Sequence, residues 1–105
     1  MDMKQQRFGI EIELTGIARK RGAEIAAAYF GTQSYYEGTY YDTYVALDSQ
    51  GREWKFMSDA SINPERKEGK SRVAASDSYK TEMVSPICRY EDIETIQELV
   101  RKLRE

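Results

Sequence analysis

The run Arg7-Phe8-Gly9-Ile10-Glu11-Ile12-Glu13-Leu14 alternates between two kinds of position along its length, with bulky apolar side chains at every second one. A period of two belongs to a β-strand, because successive side chains leave a strand on opposite faces. Phe8, Ile10, Ile12 and Leu14 therefore share one face, and Glu11 and Glu13 share the other. Such a strand requires an apolar layer on one side only. Its two carboxylates stand roughly 6.5 to 7 Å apart at Cβ, two residues of strand rise. That is close enough to repel and far enough apart to hold a divalent cation between or beside them. Taken alone, the pattern is equally that of a half-buried strand with a solvated acidic face, the plainer reading.

What lies opposite that apolar face is legible further along. Arg19 to Phe30 reads as an Ala-rich helix with Ala23, Ala26, Ala27 and Phe30 at helical spacing and Gly31 as its stop. Glu91 to Arg104 is the clearest helix, with Ile93, Ile96, Val100 and Leu103 as an apolar stripe. Its acids, Glu91, Asp92 and Glu94, occupy the first turn and its bases, Arg101, Lys102 and Arg104, the last, which suits the helix dipole. Between the helices, Thr43 to Leu47 and Glu53 to Ser58 form a hairpin around Asp48-Ser49-Gln50-Gly51, and Tyr79 to Val84 is a further strand ended by Ser85-Pro86. Trp54 and Phe56 share one face of the second hairpin strand; Lys55, Met57 and Asp59 share the other. Residues 63–78 are a polar loop carrying Pro64, Gly69 and the charge run Glu65-Arg66-Lys67-Glu68. The expected order is β-α-β-β-β-α, a single α+β domain over 1–105 with two helices on one face of a mainly antiparallel sheet.

Composition removes several chemistries. The 105 residues contain no histidine and one cysteine, Cys88. A Ser-His-Asp triad, a Cys-His pair and a histidine- or thiolate-ligated metal site within one chain are thereby excluded. Carboxylates, Lys, Arg, Tyr and hydroxyls remain, an inventory that suits a hard cation such as Mg²⁺. With 16 basic against 18 acidic residues, the net charge of -2 does not suggest nucleic-acid binding. No stretch approaches membrane-spanning length, and the N-terminus lacks the apolar centre of a secretion signal, so cytoplasmic residence is expected. Six of the eight tyrosines lie between Tyr29 and Tyr44. They read first as half-buried sheet packing and second as a recognition surface.

Three segments combine with the last helix: Phe8 to Leu14, then Trp54-Lys55-Phe56-Met57-Ser58-Asp59-Ala60-Ser61-Ile62, then Glu82-Met83-Val84-Ser85-Pro86-Ile87. In this order they resemble the N-terminal part of the amidoligase family, ATP-dependent carboxylate-amine ligases related to gamma-glutamylcysteine synthetase and glutamine synthetase. The resemblance implies a glutamine-synthetase-like fold in which Glu11, Glu13 and Glu82 coordinate Mg²⁺ on the floor of an open sheet. It implies transfer of the ATP γ-phosphate to a substrate carboxylate, then displacement of phosphate from the acyl phosphate by an amine. Lys55 would meet a phosphate or substrate carboxylate, and Asp59 would orient the amine or contact a metal. Such ligases continue into a histidine-containing segment that this sequence lacks. The expectation is therefore an incomplete site, inactive alone, completed by a missing C-terminal portion or a second copy of the chain. The competing expectation is a non-catalytic binding module using the tyrosine-rich segment 29–44.

Overall fold

A computed structural model describes residues 6–58 and 80–105. Asp59, Ser61, Tyr79 and the polar loop expected over 63–78 lie outside the described residues. The elements are β1 (Arg7–Phe8), β2 (Glu11–Thr15), α1 (Arg19–Phe30), β3 (Ser34–Gly38), β4 (Thr43–Leu47), β5 (Glu53–Ser58), β6 (Lys80–Val84), β7 (Cys88–Arg89), a 3-10 turn (Tyr90–Asp92) and α2 (Ile93–Leu103). Five strands form one sheet in the order β2-β6-β5-β4-β3, every neighbouring pair antiparallel. β1 and β7 make a separate two-stranded ribbon.

The α+β class and the two helices on one sheet face agree with the sequence reading, while the strand count does not. The single strand expected over 7–14 is two strands. Its partner carries the reason: Phe8 pairs with Cys88 and Glu11 with Val84, so two residues on one side face three, Ser85-Pro86-Ile87, on the other. Pro86 has no N–H for a ladder. Ser85 compensates, donating its own N–H to the Ile10 carbonyl at 3.0 Å and accepting the Ile10 N–H on Oγ at 3.0 Å. The extra residue bends the ladder and separates the ribbon from the sheet. β3, within the tyrosine-rich segment, is a further strand at the far edge of the sheet.

Alternation along the strands sets the core. Ile12, Leu14, Tyr44, Ala46, Trp54, Phe56 and Met83 join Ala23, Ala26 and Ala27 of α1 and Ile96, Leu99 and Leu103 of α2 in one apolar cluster. The buried side of α2 runs through Leu99, fully buried, with Val100 at its margin. α1 is the inner helix, and its small residues allow close approach: a Cβ on Gly22 would stand 2.8 Å from the Phe56 ring. Gly31 ends the helix in the left-handed region at φ 74°, its N–H returning to the last turn.

Candidate functional site

Both described helices cover the Trp54 face, and the sequence-predicted polar residues stand on the opposite face, where no helix lies among the described residues. Glu11, Glu13 and Thr15 come from β2, Lys80, Glu82 and Val84 from β6, and Glu53, Lys55 and Met57 from β5. The register arranges them in rows. Glu13 stands directly opposite Glu82, whose other neighbour is Met57; Glu11 stands opposite Val84, whose other neighbour is Lys55. Directly opposed residues have Cβ atoms about 4.5–5.5 Å apart, so the Glu13 and Glu82 side chains leave the sheet side by side. Glu11 and Glu13 are exposed, and Glu82 is half-buried one strand further in.

Two like charges directly opposite each other are destabilising in a bare sheet. A cation beside them reverses that cost. All the oxygens are carboxylate, the donor type a hard divalent cation prefers. Among the described residues, no group of three or more carboxylate or thiol side chains is gathered closely enough to hold a metal ion, so Glu11 stands apart from the Glu13–Glu82 pair. Asp59 lies outside the described residues.

Lys55 is the basic group nearest the middle of this face. Its Nζ lies 3.6 Å from Glu37 and 3.9 Å from Glu53, long ion pairs that leave the ammonium partly exposed. Beside it, Arg52, Glu53, Val84, Ser85 and Pro86 line a shallow cleft of about 460 Å³. Lys55 lines the same cleft.

One polar cluster escaped the sequence reading. Asp48, at the start of the β4–β5 turn, is buried and accepts hydrogen bonds from the Gln50 and Arg52 N–H groups, Arg52 Nε and the Trp54 indole. Arg52 then grips Asp92, Nη1 to Oδ2 at 3.1 Å and Nη2 to Oδ1 at 2.9 Å, and Asp92 also accepts the Arg89 N–H. Burial alone would raise Asp48, yet the donors from Trp54, Arg52 and Gln50 outweigh it and hold its carboxyl below the usual range. The Arg52 fork lowers Asp92 against the opposing effect of burial. The turn chemistry at 48–51 was the available signal, whereas the Arg52–Asp92 contact spans forty residues and has no local signature. Cys88 is fully buried, and burial pushes its thiol up, away from nucleophilic use.

No curated protein and no solved structure matches the chain. A protein-family model described as "Putative amidoligase enzyme" matches residues 4–105, and its span takes in the acidic strand, the Lys55 strand, the Glu82 strand and α2; the chain belongs to that family.

Proposed function

We propose that the sheet face opposite α1 and α2 is the catalytic floor of an ATP- and Mg²⁺-dependent carboxylate-amine ligase with a glutamine-synthetase-like sheet. The observation that carries this reading is the placement of Glu11, Glu13, Glu82 and Lys55 on one face of three adjacent strands, in a chain of the amidoligase family. The Glu13–Glu82 pair would hold Mg²⁺, with Glu11, two residues along β2, a further ligand only if the ion draws it in; when bound, the ion neutralises phosphate charge during transfer. The Lys55 ammonium, held loosely by Glu37 and Glu53, would exchange those partners for a phosphate or substrate carboxylate. Asp59 is proposed to orient the incoming amine. The reaction transfers the γ-phosphate of ATP to a carboxylate, and an amine then displaces phosphate to leave an amide. In this reading, more chain or a second copy would supply further walls of the site.

Titration calorimetry with Mg²⁺ and ADP tests the reading. Wild type should give saturable Mg²⁺-dependent binding, and Glu11→Gln/Glu13→Gln should weaken it at least about tenfold, the order expected from losing two charged ligands. Equal behaviour of the two proteins removes the metal role.

A second reading follows from the exposure of Tyr35, Tyr36 and Tyr40, at 43%, 56% and 58%. Partner binding through these rings would survive loss of both glutamates and fail when Tyr40 and Tyr41 become Ser.

A further inference from the structure

The β1–β7 ribbon sets Arg7 directly opposite Arg89. Two guanidiniums whose Cβ atoms are about 4.5–5.5 Å apart repel, so this pairing costs stability unless something negative lies between them. The rest of the ribbon shows why they share a face: Phe8 packs on the core and Cys88, opposite it, is buried, which turns the neighbouring pair outward. Neither arginine takes part in any of the ion pairs among the described residues. Both line a cleft of about 450 Å³ together with Gln50, Arg52, Ile87, Glu91 and Asp92. Within that cleft Arg52 is already committed, gripped by Asp48 on one side and Asp92 on the other. Arg7 and Arg89 are the cleft's other two cations, and Arg89 also helps hold the Asp92 carboxyl low. Glu91 is the second acid on the wall.

We propose that Arg7 and Arg89 form an anion-binding subsite for a phosphate group, bridged between the two guanidiniums. A phosphate dianion offers three terminal oxygens, enough for both arginines to bind with one oxygen shared, and carries the charge needed to cancel both, whereas a carboxylate has only two oxygens and one charge to share. The Gln50 side chain, an amide donor on the same cleft, adds a neutral contact. The inference stands on the ribbon and does not depend on the metal reading of the sheet face.

The test uses inorganic phosphate and follows the arginine Nε–H signals by nuclear magnetic resonance at constant ionic strength. Wild type should show saturable shifts at Arg7 and Arg89; Arg7→Gln and Arg89→Gln should each weaken phosphate binding about tenfold, the scale of one charge-assisted contact. Glu91→Gln should tighten it several-fold. Acetate at the same ionic strength should give less than a third of the phosphate response. Without phosphate, Arg7→Gln should raise Tm by about 2 °C through relief of repulsion, a readout that also shows the variant is folded. The proposal is overturned if chloride reproduces the shifts, if acetate matches phosphate, or if the Arg7→Gln protein binds phosphate as wild type does.

Discussion

Gly22 is the residue where local preference and tertiary packing pull in opposite directions. It lies inside α1, a position at which alanine would favour the helix by about 1 kcal/mol. The added Cβ would meet Phe56 Cδ2 at 2.8 Å and Cε2 at 3.1 Å, and that ring is fully buried against the sheet with no room to withdraw. Overpacking of this kind costs about 1–3 kcal/mol. Gly22→Ala should therefore destabilise by about 1 kcal/mol net, measured by urea denaturation. The added change Phe56→Leu should recover part of the loss, because it opens the space the methyl needs. Unchanged or raised stability in Gly22→Ala would mean that α1 does not sit this close to β5.

At the scale of elements, α1 and α2 are coupled by apolar contact and by one polar link, the Tyr29 hydroxyl donating to Glu98. That hydrogen bond, then burial, then the charges of Glu98 and Glu94 raise the phenol to about 12. The raised value means the neutral phenol is favoured in the fold. Its stabilising contribution is present below pH 10 and is lost as pH rises through about 12. Ultraviolet titration should show one tyrosine ionising late, and Glu98→Gln should bring that step down toward the ordinary range. A profile unaffected by Glu98→Gln would sever the link between the helices. At the opposite side of the molecule, β2 shows how an element is limited by its partner: the Ser85-Pro86-Ile87 insertion ends its ladder at Glu11, so the paired acids sit on a strand of five residues.

Across the whole molecule, the Asp48–Arg52–Asp92 cluster ties the β4–β5 turn to the start of α2. Both carboxyls are held below their ordinary values. A lowered acid stabilises the fold above its unfolded-state value and loses that contribution as pH falls through the folded value. The cluster is thus fully effective above about pH 5, and its contribution declines as pH falls below the ordinary aspartate value of about 4 toward the lower folded-state values. Asp92→Asn should cost about 2 kcal/mol at pH 7, less than a fully buried pair because the Arg52 side chain keeps 24% exposure. Tm measured between pH 7 and 3 should fall less steeply in that variant than in wild type. Parallel curves for the two proteins would show that Asp92 contributes no pH-dependent stability. Among the described residues, no helix is long and apolar enough to cross a membrane.

Much of the architecture follows from periodicity alone. Alternation located β2, β4 and β5, Ala spacing located α1 from Arg19 to Phe30, and the 3.6-residue stripe located α2, because each pattern matches the repeat of one backbone conformation. The same alternation assigned Glu11 and Glu13 to a shared face, and Lys55 to the face opposite Trp54 and Phe56. Pairing was beyond its reach. That Glu13 faces Glu82, that Arg7 faces Arg89, and that Arg52 reaches Asp92 are matters of register and loop closure between residues far apart in the chain. The sequence by itself determined which way each side chain points from its own element, since that is a property of one backbone. Only the tertiary structure decided which side chains meet, since like charges are brought together when burial of the apolar face sets the register and their repulsion is the smaller energy.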